Sequence, residues 1–208
     1  ENSNIILEFK TKSKNIAHLL KTDIPDNVFV SWSLNPQIFI DHEEHGTASL
    51  DQRLSCAKSL SDKGVLVGFH FHPIVYYEGY EDDYKNIVSK VMSMFEPHQI
   101  AMISMGTLTF IKPAINKLRS AGLKSKVLQI PMVDAVGKSS YTKEVKEEIF
   151  SNVYNEFRSW HNDLFFYLCM EESSIWESVF GDFYDSNVDF ETALFESVSS
   201  KMKPLEIA

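Results

Sequence analysis

Cysteine is nearly missing from this chain: Cys56 and Cys169 are the only two among 208 residues, far apart and without CxxC-type spacing. That argues against a structural zinc site or a disulfide framework and predicts a reducing, cytoplasmic setting. Long apolar runs are missing too. Nothing approaches the roughly 18 consecutive apolar residues of a membrane span, so no membrane partner is expected. No basic, apolar and then small leader opens the chain, which starts at Glu1 rather than Met. That start raises the expectation of upstream sequence that has been removed. Positive charge is scarce, with 20 Lys and Arg against 29 Asp and Glu, a net charge of −9, and acidic clusters at residues 41–44, 78–83 and 144–148. Phosphate contacts need Lys and Arg, so this balance opposes non-specific binding to a polyanion. A nucleic-acid role would have to come from a local basic surface or from a further segment. Also absent are a glycine-rich phosphate loop, an HExxH motif, a Ser-His-Asp order, internal repeats and low-complexity linkers.

What the chain does have is alternation. Short apolar or alternating runs lie at 5–11, 28–34, 65–71, 100–105, 126–130 and 164–169, and helical spacing lies between them. Leu50, Leu54, Ala57 and Leu60 share one helix face behind the capping-box pair Ser49 and Gln52, and Gly64 stops that helix. Tyr84, Ile87, Val88, Val91 and Phe95 form a second stripe closed by Pro97. Pro113 opens a third helix with Gly122 at its C-terminal end, and Val145, Ile149, Val153, Phe157 and Trp160 mark a fourth. Strands alternating with helices predict an α/β fold with a parallel sheet, in a single domain spanning residues 1–208. Residues 189–201 are expected to form a final helix packed outside.

Parity within the strands sharpens this. Leu7 and Phe9 oppose Glu8, Lys10 and Lys12; Trp32 and Leu34 oppose Ser31, Ser33 and Asn35. Phe69 and Phe71 oppose Gly68, His70 and His72; Ile103 and Met105 oppose Ser104 and Gly106. A doubly wound sheet is covered on both faces and should be apolar on both. One apolar and one polar column per strand instead fits a barrel whose lumen holds a ligand at the C-terminal mouth. Lys12, Ser33, Asn35, His70 and His72 would line that mouth. Four such strands are too few to close a barrel, so a partial (βα) barrel is predicted. Its open edge would be covered by a missing N-terminal half or by a second copy.

Each of these residues also has a structural reading. The His70/His72 pair could ligate a metal in a hydrolase, or could simply hydrogen-bond in a polar cavity. Lys12 could hold a carboxylate or phosphate, or could be solvated. Ser33 and Asn35 could bind a ligand or cap their strand. Cys56 and Cys169 read as core. From composition and spacing alone, a non-catalytic binding module built on a degenerate barrel stays open.

Several segments in order resemble the spore photoproduct lyase family of radical S-adenosylmethionine enzymes. They are Leu7-Glu8-Phe9-Lys10-Thr11-Lys12-Ser13, Trp32-Ser33-Leu34-Asn35, the stretch from Glu44-His45-Gly46-Thr47 to Arg53-Leu54, the strand at 68–74, Glu78-Gly79-Tyr80-Glu81, and Tyr167-Leu168-Cys169-Met170-Glu171 with Ile175-Trp176. The resemblance implies a partial βα barrel, S-adenosylmethionine and a [4Fe–4S] cluster as cofactors of the full-length protein, and a DNA photoproduct as substrate. It implies that Lys12 meets the cofactor's carboxylate, that Ser33 and Asn35 make polar cofactor contacts, and that His70, His72 and Tyr141 line the lumen near the substrate. The chain would then be the C-terminal portion of a lyase-like enzyme. The family's CxxxCxxC loop is absent, so no cluster, and no turnover, is expected of this portion by itself. Two departures bear on the substrate: His72 stands where relatives often carry Asp, and Ser140 precedes Tyr141 where the family's lesion-binding hairpin presents an Arg-Tyr pair.

Overall fold

Five of the six apolar or alternating runs form strands, in the order the alternation predicts. The structure is a computed structural model describing residues 5–122, 125, 127, 130, 132–135 and 137–202. It begins with β1 (Leu7–Thr11), α1 (Ala17–Lys21), β2 (Val28–Ser33), α2 (Gln37–Glu43), α3 (Leu50–Asp62), β3 (Val67–Ile74), α4 (Tyr80–Met94) and β4 (Ile100–Thr107). Then come β5 (Thr109–Ile111), α5 (Lys112–Ser120), β6 (Val133–Ala135), β7 (Lys138–Ser140), α6 (Lys143–Glu156), β8 (Phe166–Leu168), α7 (Ser173–Phe180) and α8 (Asn187–Lys201). The main sheet has five parallel strands in the order β1-β2-β3-β4-β8, with β1 and β8 as its edges. It is the partial (βα) barrel expected from parity.

The local signals act as the sequence predicts. Ser49 Oγ accepts from the Gln52 amide while Gln52 Oε1 accepts from the Ser49 amide, which satisfies two orphan donors at the start of α3. Pro113 sits in the first turn of α5, and Gly122 follows that helix at φ +68°, a left-handed conformation that glycine adopts without a Cβ clash. Glu81, Asp82 and Asp83 lie in the first turn of α4, where the macrodipole favours them.

One face of the sheet carries Trp32, Leu34, Phe69, Phe71, Ile103, Met105 and Leu168, packed in a single core with the buried stripes of α3, α4 and α6. Leu54 and Leu60 of α3 are at most 1% exposed, and each such burial stabilises by about 1.5–3 kcal/mol. The first strand departs from this pattern. Leu7 and Phe9 are 48% and 56% exposed, so the apolar column of β1 is left uncovered at the sheet edge.

The final helix corrects the expectation that it packs outside. It lies on the face that carries the polar columns: Val198 is buried with Phe29, Ala101 and Met102, and Leu194 and Met202 pack against them. Lys201 Nζ donates to the carbonyls of Pro97, Ile100 and Asp163 and pins the helix there. The reason is that the polar columns begin apolar. Phe29 precedes Ser31, and Met102 precedes Ser104, so the N-terminal half of that face needs a cover and only the C-terminal half stays polar.

A second sheet of three antiparallel strands, β5-β7-β6, follows β4. It contains the hairpin that the family resemblance implied. The strand expected over 126–130 falls partly outside the described residues, and Val127 and Ile130, which are described, are not in a strand. Among the described residues, no helix is long and apolar enough to cross a membrane.

Candidate functional site

Two polar clusters occupy the C-terminal half of the sheet. The first lies at the strand ends and centres on Glu44, which follows α2. Lys12 Nζ donates to Glu44 Oε1 at 2.5 Å and Asn35 Nδ2 to the same oxygen at 2.7 Å. Arg53 Nη2 donates to Glu44 Oε2 at 2.5 Å. The guanidinium is fully buried, and its fork is used throughout: Nε reaches the Ala48 carbonyl, Nη1 the Ser33 carbonyl at 2.8 Å, and Nη2 also the Thr47 hydroxyl. Burial pushes the Glu44 carboxyl up. Lys12, Arg53 and Asn35 outweigh it and hold the group below the usual carboxylate range. Asn35 is itself fixed from behind, since the Tyr84 hydroxyl donates to its Oδ1 at 3.3 Å.

Lys12 and Asn35, singled out by sequence, thus converge on one carboxylate. Ser33 joins them through its carbonyl, with its side chain in a residue only 2% exposed. The central pair, Glu44 and Arg53, was not singled out as a site. One signal was available: Arg53 falls three residues after Leu50 and four before Ala57, on the apolar stripe of α3, where a charged residue must have a buried partner.

The second cluster runs along the polar columns of β1 to β4. His70 Nε2 meets Glu8 Oε1 at 2.5 Å, and Ser31 Oγ donates to that same oxygen. Ser104 Oγ lies 2.5 Å from His70 Nδ1 and 3.1 Å from His72 Nε2, while Lys10 Nζ lies 3.3 Å from His72 Nδ1. Lys10 can only donate and ionised Glu8 can only accept. The chain therefore reads in one direction, from Lys10 through His72, Ser104 and His70 to Glu8, with both imidazoles neutral. Their environment agrees. Burial, then the nearby Lys10 and His70, bring the His72 imidazole down to about 3. Burial also lowers His70, although its bond to Glu8 opposes this. Burial raises Glu8, but the bonds from His70 and Ser31 leave it lowered in sum.

Space for His72 is made by Gly106 on β4. A Cβ there would come within 3.1 Å of the imidazole. Gly106→Ala is expected to push the ring aside and break its contact with Ser104, with a loss of about 1–2 kcal/mol. Thermal unfolding would register the loss, and the His72 ring resonances would shift; an unchanged ring environment would contradict the packing described.

Among the described residues, Tyr141 hydrogen-bonds no member of either cluster, although it lies near Tyr84, which bonds Asn35. It is 3% exposed at the foot of the β6–β7 hairpin, and its hydroxyl accepts from the Tyr76 amide at 3.1 Å. The family resemblance put it in the lumen near the substrate; the structure packs it in the main core, where it links the hairpin to the loop after β3.

Residues 1–143 match the family model described as spore photoproduct lyase. The curated spore photoproduct lyase of Geobacillus sp. (strain Y412MC61) is 28% identical over 123 residues, 58% of this chain and 36% of the relative. That of Clostridium acetobutylicum is 24% identical over 164 residues, 74% of this chain and 48% of the relative. Among solved structures, spore photoproduct lyase complexed with dinucleoside spore photoproduct superposes with a TM-score of 0.66 at 23% identity, covering 79% of this chain and 51% of that one. A variant of spore photoproduct lyase with bound AdoMet and dinucleoside spore photoproduct gives a TM-score of 0.65 at 22% identity, with the same coverage. The chain thus spans about half the length of these solved structures, and less than half that of the curated relatives.

Proposed function

The chain belongs to the spore photoproduct lyase family, and on that premise we propose that it is the cofactor- and substrate-binding part of a radical S-adenosylmethionine enzyme acting on DNA. The observation that carries the cofactor assignment is the donor set at the strand ends. Lys12 and Asn35 already share a carboxylate oxygen, and a carboxylate is the group that the cofactor's amino-acid end presents. Lys12, whose side chain is 35% exposed, can turn from Glu44 to such a ligand while Arg53 keeps Glu44 neutralised. When bound, the cofactor would supply a 5′-deoxyadenosyl radical, with methionine as the other product, on receiving one electron from the family's [4Fe–4S] cluster. Cys56 and Cys169 are one thiolate short of the three the family's cluster takes, so neither is assigned to it.

The DNA assignment draws on charge placement. The segment 107–146, which holds α5 and the three-stranded sheet, carries eight Lys or Arg against two Asp or Glu, in a chain of net charge −9. Lys112, Lys117, Lys138 and Lys143 are exposed on it. Lys112 pairs with Asp134 and Lys143 with Glu147, and the exposed positive charge that Lys117 and Lys138 add to this segment supports a nucleic-acid role. The hydrolase reading of His70 and His72 has no comparable support. Three of their four ring nitrogens face protein side chains within hydrogen-bond distance of 2.5–3.1 Å, and Lys10 lies 3.3 Å from the fourth. Among the described residues, no group of three or more His, Cys, Asp or Glu is placed to hold a metal.

Calorimetric titration with S-adenosylmethionine tests the reading. Binding is expected, with Lys12→Ala weakening it by tenfold or more, and Lys117→Glu with Lys138→Glu is expected to weaken duplex DNA binding and flatten its salt dependence. Equal cofactor affinity in wild type and Lys12→Ala would sink the cofactor assignment.

A further inference from the structure

A cavity of about 360 Å³ opens at the C-terminal end of β8, between that strand, α7 and the start of α8. Its wall is aromatic. Trp176, Tyr184 and Phe190 meet edge-to-face with ring centroids 5.6–5.9 Å apart, and Tyr167 approaches Phe190 at 5.4 Å. Three large apolar side chains lining it remain open to solvent instead of closing it: Met170 is 79% exposed, Phe183 40% and Tyr184 37%. Met170 is the one non-glycine residue with positive φ among the described residues, at 60°. The left-handed backbone there carries its thioether out beside the cavity.

Charge narrows the ligand. No Lys or Arg lines the cavity. Of its two carboxylates, Glu171 is occupied by Lys146 at 2.7 Å, and Asp185 is exposed at the rim. A phosphate or carboxylate has no counter-charge here, whereas an uncharged planar ring gains stacking area, and Ser173 and Asn187 offer hydroxyl and amide groups to its edge. The cavity also adjoins the polar columns: Ser104 pairs with Tyr167 directly across the β4–β8 ladder.

We propose that this cavity seats a single uncharged nucleobase, stacked on the Trp176–Tyr184–Phe190 wall and covered by Met170. Only the choice of a nucleobase among planar rings rests on the DNA reading above. The base reaches the cavity either on a DNA strand, extruded or unpaired, or as a free nucleoside.

Thymidine, which carries no phosphate, is the first probe, followed by calorimetry and by the Trp176 indole and Met170 methyl NMR signals. Saturable binding is expected that moves both signals. Trp176→Ala and Met170→Glu should each weaken it by about tenfold or more. Met170 is exposed, so its replacement leaves the fold intact and keeps the test decisive if Trp176→Ala unfolds. Lys117→Glu should leave thymidine binding unchanged, so a failed DNA reading and a failed cavity are told apart. A short thymidine oligonucleotide binding more tightly than thymidine through the same two residues identifies a strand as the source, and equal affinity identifies the free nucleoside. Thymidine affinity that is unchanged in Met170→Glu, or neither probe moving the two signals, overturns the proposal.

Discussion

Replacing Arg53 by Ala is expected to lower the free energy of unfolding by about 3–5 kcal/mol, as breaking a buried ion pair does when one charge is left behind. The variant strands Glu44, whose side chain is 6% exposed, and removes donors to the Ser33 and Ala48 carbonyls. Lys12 cannot compensate, because a point charge at one carboxylate oxygen does not reach the two carbonyls that the guanidinium fork joins. Arg53→Lys should therefore recover only a small part of the loss. The double variant Arg53→Ala with Glu44→Gln should be milder than Arg53→Ala alone, since a neutral amide leaves no charge uncompensated. Urea denaturation of the three variants checks this. A fall below 1 kcal/mol for Arg53→Ala would mean that Glu44 is not buried as a charge.

Stability is expected to fall as the solution is acidified from pH 7, with the onset near the ordinary histidine range rather than the carboxylate range. His70 and His72 are lowered in the folded state, His72 to about 3. Below about pH 6.5 the unfolded chain takes up protons on both, while the folded chain does not, so the unfolded state gains. For His72 alone the loss between pH 6.5 and 5 is up to about 2 kcal/mol. Glu8 and Glu44, also lowered, add a second fall as the pH passes below the ordinary carboxylate value toward their folded values. The other titratable groups around the histidines are Lys10 and, on β8 and the residue after it, Tyr167 and Cys169. Those two are raised, Tyr167 to about 12, chiefly by burial, and stay neutral throughout this window. His72→Gln should flatten the upper part of the profile and leave the lower part. Denaturant midpoints measured from pH 8 to 4 decide it, and identical profiles for the two proteins would refute a neutral His72.

The proton order along the second cluster explains why these side chains were only half legible. Parity placed His70, His72 and Ser104 on one face, because strand alternation is a local rule. Parity also put Glu8 and Lys10 on that face, yet nothing local says that Glu8 reaches His70 across the intervening strand. That contact depends on how β1 pairs with β2 and β2 with β3: Glu8 sits opposite Phe29 and His70 opposite Ser33, so the carboxylate meets Ser31 and the imidazole on a diagonal across the sheet. Arg53 is the opposite case. Its place on the apolar stripe of α3 was readable, but its partner was not, since Glu44 lies in the turn that follows α2.

By itself the sequence determined the alternation of strands and helices, the capping of α3, the apolar and polar columns and the resemblance to a family. All of these follow from periodicity, caps and ordered short segments within one stretch of chain. Only the tertiary structure decided that α8 covers the lower half of the polar face, that Tyr141 joins the core, and that Lys12 and Asn35 share Glu44. It also decided that an aromatic cavity opens beside β8. Each of these depends on which distant segments meet, and a buried charge or an apolar face constrains the kind of partner it needs without naming it.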